Sequence, residues 1–348
     1  MFKRLGQALF AAILVCLLAA CSGAPPSPDV PALAVDDFLL PARAEGIELF
    51  VRNKRPRGVE SFPPNRIVLF VHGVTFPSES TFDLSLDGFS WMDFIARAGY
   101  DVYLVDVRGY GRSTRPPAMS EPADRNPPLT TLAEAVDDVG VAVDFIRQRR
   151  NVGQVALIGW SWGTTVMGRY AATHGDKVNR LVLYAPAWQR KTPSGAARGN
   201  DARAAYRSVE VARLKPRWLA GVAQDKHDQL LPAGWFEAWV AANLATDPWG
   251  SKQSPAVMRA PNGGLPTVQL SGDWTPPYDP ASIKVPTLLV KGEWDADTPS
   301  YMAQQLFPLL VNAPVKQYLE IGEGTHSIML ERNRLQLFRA VQAFLDGR

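Results

Sequence analysis

Cysteine is scarce in this 348-residue sequence: only Cys16 and Cys21 occur, both near the start. Beyond residue 21 there is no material for a disulfide framework or for thiolate catalysis. Histidine is almost as rare. Its four copies, His72, His174, His227 and His326, are dispersed without ligand spacing, so neither a metal nor a redox cofactor is implied. No apolar run reaches the ~20 residues that a membrane-spanning helix needs. A large excess of one charge is missing too. The formal net charge is +3, with a pI near 8.8, and the basic residues are scattered, which gives a nucleic-acid partner no footing. Internal repeats are absent. What remains is ordinary globular material: 46% hydrophobic and 20% charged residues bury a sizeable core and exclude global disorder.

The N-terminus differs from the rest. A short basic start at residues 1–4, an apolar stretch over 5–20 and small residues before a cut site have the pattern of a secretory signal. Leu18-Ala19-Ala20-Cys21 resembles the bacterial lipobox, in which the cysteine is lipidated and becomes the mature N-terminus. That resemblance implies a membrane anchor at Cys21 and a place in the bacterial cell envelope. Ser22 after the cysteine points to the outer membrane. Residues 21–34, rich in proline and small residues over Ser22–Pro31, read as a flexible tether.

Extended and helical patterns then alternate. Arg66–His72 is an unbroken apolar run, as expected of a strand buried on both faces of a parallel sheet. A helix is expected over Gly88–Ala98 and a strand over Asp101–Asp106. Thr131 and Glu134 form a capping box that opens a helix running to about Arg150. Strand Gln154–Gly159, a helix from Gly163 to His174 and strand Arg180–Ala185 follow. The rhythm resumes with strand Val285–Lys291, a helix near Tyr301–Leu310, strand Lys316–Ile321 and a final helix Ser327–Leu345. Alternation of this kind implies an α/β fold with a doubly wound, mostly parallel sheet. The core is expected over residues 35–185 and 284–348. Residues 186–283 interrupt it with six of the ten tryptophans, several prolines and no clear strand, and read as a helical cap over the carboxyl ends of the strands.

Gly159-Trp160-Ser161-Trp162-Gly163 falls between an expected strand and an expected helix, the setting of a G-x-S-x-G nucleophile elbow. A sharp turn there exposes a serine hydroxyl, and the flanking glycines remove side chains that would strike neighbouring backbone. The hydroxyl needs a base. His326 lies on a polar loop between the last strand and the last helix, where an imidazole can reach back over the elbow. His72 ends an early strand, His174 ends a helix and His227 sits among charges in the cap. A carboxylate should orient the imidazole. Residues 292–299 (GEWDADTP) offer three, of which Asp295 is preferred and Asp297 held in reserve. The order Ser161, Asp295, His326 is that of an α/β-hydrolase triad.

Five segments together resemble the α/β-hydrolase superfamily: VHGV at 71–74, DVRGYGRS at 106–113, GWSWG at 159–163, GEWDADTP at 292–299 and GTH at 324–326. The likeness runs from about residue 45 to the C-terminus. It implies Asp295 as the acid, and an oxyanion hole from the backbone N–H groups of Trp162 and Val74. Asp106 and Arg108 are expected to shape the neighbouring loop. Serine at the nucleophile position separates the chain from epoxide hydrolases and haloalkane dehalogenases. The expected reaction is two-step acyl transfer to water on a small-molecule ester, with apolar groups favoured by the tryptophans at 160, 162, 294 and in the cap. Rival readings use the same triad for a prolyl-type aminopeptidase, whose amine would need cap carboxylates such as Glu210, Asp225, Asp228 or Glu237, or for acyl transfer or perhydrolysis. A silent binding lipoprotein is the rival from another class. The oligomeric state is not legible in the sequence.

Overall fold

A computed structural model describes residues 31–191, 203–265 and 274–348. The leader and Cys21 lie outside the described residues, as does most of the tether.

Eight strands form one sheet: β1 (Leu33–Pro41), β2 (Glu48–Pro56), β3 (Ile67–Val71), β4 (Asp101–Val105), β5 (Val155–Trp160), β6 (Val178–Tyr184), β9 (Thr287–Gly292) and β10 (Lys316–Ile321). Their spatial order is β1-β2-β4-β3-β5-β6-β9-β10. From β4 to β10 all neighbours are parallel, while β2 runs antiparallel to β1 and β4. The unbroken apolar runs have a simple cause. In β3, Ile67, Leu69 and Val71 enter one core cluster and Val68 and Phe70 enter the other, so both sheet faces are covered.

Helices α1 (Ser78–Phe82), α2 (Trp91–Arg97), α3 (Leu132–Arg150), α4 (Trp162–Thr173), α8 (Ser300–Leu306) and α9 (Arg334–Leu345) accompany the sheet. The capping box at Thr131 and Glu134 is present, and Asn151 closes α3 in the left-handed conformation. Among the described residues, no helix is long and apolar enough to cross a membrane.

Three expectations need correction. The sheet includes an antiparallel pair, β1–β2, absent from the expected alternation, and β1 begins at Leu33, inside the expected tether. The final helix starts at Arg334 rather than Ser327, because Ile328–Leu330 makes a tight turn and Glu331 then adopts extended backbone. The segment between β6 and β9 holds helices α5 (Leu214–Trp218), α6 (His227–Leu230) and α7 (Trp235–Ala245), but also an antiparallel ribbon of β7 (Tyr206–Glu210) and β8 (Val257–Pro261). Apolar alternation does not mark that ribbon, because Arg207, at a position an apolar residue would mark, is itself buried.

Chain order reverses direction across the sheet at β3, with β4 on one side and β5 on the other. Open α/β sheets form their ligand crevice beyond the carboxyl ends of strands at such a switch point. Val74 follows β3 and Ser161 follows β5, one on each side of it. Asp295 and His326 follow the neighbouring strands β9 and β10.

Candidate active site

Ser161 joins β5 to α4 with φ 57° and ψ −123°. For a residue with a side chain, such a conformation costs roughly 1–3 kcal/mol and persists only where the surroundings fix it. They do so here. The Ser161 N–H donates to Tyr184 O of β6 at 2.9 Å, and its carbonyl accepts from Thr164 N at 2.9 Å and Thr164 Oγ1 at 2.6 Å. The flanking glycines are required by close approach. A Cβ on residue 159 would lie 2.2 Å from Gly163 O, and one on residue 163 would lie 2.5 Å from His72 O. The loop after β3 passes just as closely, since a Cβ on Gly73 would stand 3.1 Å from Ser161 Cβ.

His326 is held by its backbone and by its ring. Its carbonyl accepts from Trp160 Nε1 and from Tyr184 Oη, both at 2.9 Å. Its Nδ1 lies 3.0 and 2.9 Å from the two carboxylate oxygens of Asp295. A carboxylate only accepts, so Nδ1 carries the proton and Nε2 is left as a free acceptor for a hydroxyl. The Asp295 carboxylate is fixed in turn by Asp297 N at 2.9 Å, Thr298 N at 2.8 Å and Thr298 Oγ1 at 2.6 Å. Asp295, not the alternative Asp297, therefore reaches the imidazole. The Asp297 side chain faces the cavity and pairs with Arg217 of α5 at 2.9 Å.

Burial pulls the His326 pKa down, but the charge and hydrogen bond of Asp295, helped by Asp297, outweigh it and leave the imidazole above its usual 6.5. No hydrogen bond joins Ser161 to His326 among the described residues, although both side chains line the same cavity. Such bonds are commonly long before substrate binds and tighten in its presence.

Trp162 opens α4, so no carbonyl one turn earlier can take its N–H. Val74 lines the cavity that Ser161 and His326 share. The cavity is a cleft walled by Phe76, Trp160, Leu214, Trp218 and Trp239, with Arg217 and Asp297 as its charged pair. An adjoining lobe is bounded by Trp188, Arg190 and Met302. Four tryptophans thus reach the substrate space. Trp162 is fully buried in the core, Trp235 packs on Arg334, Trp274 packs on Trp188, Trp249 is exposed and Trp294 stands outside this cavity.

The other histidines have local tasks. His72 Nδ1 donates to Gly73 O at 2.7 Å and its Nε2 accepts from Val107 N at 3.2 Å; burial pushes it down to about 4, so it stays neutral. It braces the loop that carries Val74. His174 ends α4 and stacks on Tyr170, and His227 Nε2 donates to Val222 O at 3.1 Å. Asp106 accepts from Ser78 N and Arg112 N, and Arg108 grips Asp138, so both shape the loop away from the cavity wall. None of Glu210, Asp225, Asp228 and Glu237 lines the cavity. Among the described residues, no cluster of three or more His, Cys, Asp or Glu could hold a metal.

Sequence reasoning missed Glu331. It accepts from Trp218 Nε1 at 2.8 Å, from Thr325 N at 3.1 Å and from the Thr325 hydroxyl, and so ties the residue before His326 to helix α5. Burial pushes this carboxyl up to about 7, against the hydrogen bonds from Thr325 and Trp218. No local motif marks such a residue, because its partners are 6 and 113 positions away.

Residues 66–332 match the α/β hydrolase fold family, and the chain belongs to it. Among individual proteins, it is 26% identical over 239 residues to the proline iminopeptidase of Neisseria gonorrhoeae, covering 60% of this chain and 69% of that one. It is 31% identical over 142 residues to a probable proline iminopeptidase of Streptomyces coelicolor, a match that spans 40% of this chain and 39% of that protein. Similar solved structures include a serine hydrolase from Cycloclasticus zankles, with a TM-score of 0.57 at 14% identity, covering 90% of this chain and 99% of that one. A thermophilic esterase from Thermogutta terrifontis gives 0.54 at 18% identity, covering 90% and 98%. At these identities the structural likeness speaks for the fold.

Proposed function

We propose that this chain hydrolyses carboxylic esters of modest size through an acyl-enzyme on Ser161. The observation that carries this reading is the pairing of His326 Nδ1 with the buried Asp295 carboxylate, beside a serine held in a strained elbow. His326 Nε2 takes the hydroxyl proton as Ser161 Oγ bonds to the ester carbon, and the carbonyl π electrons move onto oxygen. The N–H groups of Trp162 and Val74 receive that oxyanion. The tetrahedral intermediate expels the alcohol with the proton from His326. Water then attacks the acyl-enzyme by the same route and restores the serine.

The aromatic walls at Phe76, Trp160, Trp218 and Trp239 favour an apolar acyl or alcohol group. Turnover of p-nitrophenyl esters should therefore rise from acetate to medium acyl chains and fall once the chain outgrows the cleft. No turnover on any member of the series would sink the ester assignment. A second reading, removal of N-terminal proline, is motivated by the relatives that bear the name proline iminopeptidase. It would need a carboxylate for the substrate amine, and Asp297, already paired with Arg217, is the carboxylate in the cavity wall beside Ser161. Comparing proline p-nitroanilide with the esters separates the two readings.

The membrane anchor is part of the same proposal, supported by the sequence of residues 1–22 alone. Lipidated Cys21 would send the protein into the detergent phase on cloud-point partitioning, and Cys21→Ser would leave it in the aqueous phase. Equal partitioning of both would refute the anchor.

A further inference from the structure

Arg207 stands in β7, on the segment inserted between β6 and β9, yet its guanidinium reaches the loop after β3. Nη2 donates to Val74 O and to Thr75 Oγ1, both at 2.7 Å. Nη1 donates to Pro261 O at 2.9 Å and to Asn262 Oδ1 at 3.1 Å. The residue is buried, and among the described residues no carboxylate lies within ion-pair reach of it. Burial lowers its pKa to about 10, which still leaves it charged at neutral pH. A buried cation without an anion is costly, and neutral donors would serve if the contact only joined two segments.

What the cation touches gives the reason. The Val74 carbonyl also accepts from Tyr110 Oη at 2.9 Å, so both of its lone pairs are occupied. It cannot turn toward the cavity, where its partial negative charge would repel an oxyanion. The positive charge beside residue 74 also favours negative charge near it.

We propose that Arg207 is a positioning residue for the oxyanion hole. From the inserted ribbon it anchors residue 74 at its carbonyl, next to the N–H that belongs to the preceding Gly73–Val74 peptide, so that transition-state stabilisation depends on the seating of that ribbon on the core. The inference rests on the oxyanion-hole reading above and adds to it a residue from the inserted segment.

The test compares Arg207→Met, Arg207→Lys and Tyr110→Phe with the unaltered chain. The readouts are kcat and KM on a p-nitrophenyl ester, and the affinities of an alkyl trifluoromethyl ketone and its secondary alcohol. The ketone adds Ser161 Oγ at its carbonyl carbon, passes the serine proton to His326 and places a negative oxygen in the hole. The alcohol binds without forming one. Arg207→Met should lower kcat and ketone affinity by about 10²-fold, the scale of one lost oxyanion donor, with KM and alcohol affinity within about threefold. Tyr110→Phe should lose about three- to tenfold in the same two quantities, the scale of one neutral hydrogen bond, and Arg207→Lys should recover part of the Met loss. A structural role alone would shift melting temperature and KM without separating ketone from alcohol. Where Arg207→Met does not fold, Tyr110→Phe and Arg207→Lys decide. Variants with unaltered kcat and ketone preference overturn this proposal and leave the triad reading standing. An unaltered chain that binds ketone no better than alcohol overturns the oxyanion-hole reading and this inference with it.

Discussion

Ser161→Ala is expected to lower ester turnover by about 10⁴- to 10⁶-fold, the range found when a triad nucleophile is removed from a serine hydrolase. Circular dichroism and melting temperature should hardly change. The serine side chain makes no hydrogen bond that the fold depends on, because the elbow is fixed by the backbone of residue 161 and by Gly159 and Gly163. Alanine keeps the Cβ that already packs against Gly73. Labelling by a fluorophosphonate probe should vanish with the hydroxyl. An alanine variant that still turned over ester at the original rate would remove Ser161 from the mechanism, and with it the role assigned to His326.

A pair of carboxylate variants separates the acid of the triad from its neighbour. Asp295→Asn should cost about 10⁴-fold in kcat, since an amide can donate to Nδ1, favours the wrong imidazole tautomer and cannot support the imidazolium. Asp297→Asn should cost less than about tenfold at high pH, because its side chain faces Arg217 and not the imidazole. Its main effect should appear in the pH profile. His326 works as a neutral base, so kcat/KM climbs as pH rises through the His326 pKa, which lies above 6.5. Asp297 helps to raise that pKa, so its neutralisation should move the acid limb to lower pH. The linked stability has the opposite sense. A raised histidine pKa stabilises the fold fully below 6.5, and that contribution is lost as pH rises through the folded value, so the protonated site holds together best where it is least active. Equal losses in the two variants, or an acid limb that Asp297→Asn leaves in place, would contradict this assignment.

The strands that carry the site were legible because burial on both sheet faces writes an unbroken apolar run, as in Ile67–Val71 and Val155–Trp160. The elbow was legible because the glycines it requires stand next to the serine in sequence. In the sequence only the resemblance separates Asp295 from Asp297; in the structure it is Asp295 that lies against His326 Nδ1. The inserted segment was read least well. Its ribbon pairs residues about 50 positions apart and buries an arginine, so neither local propensity nor alternation of apolar residues reveals it. The leader and its cysteine are read from sequence alone, since they lie outside the described residues.

By itself the sequence determined the alternating fold, the elbow at residue 161 and the short set of groups able to serve it, because each of these is written in local periodicity or in neighbouring residue types. Only the tertiary structure decided what stands around the serine: Trp218, Trp239 and Arg217 over the cleft, Glu331 behind the histidine loop, and Arg207 behind Val74. These contacts join residues up to 133 positions apart, and chain folding rather than sequence spacing brings such partners together.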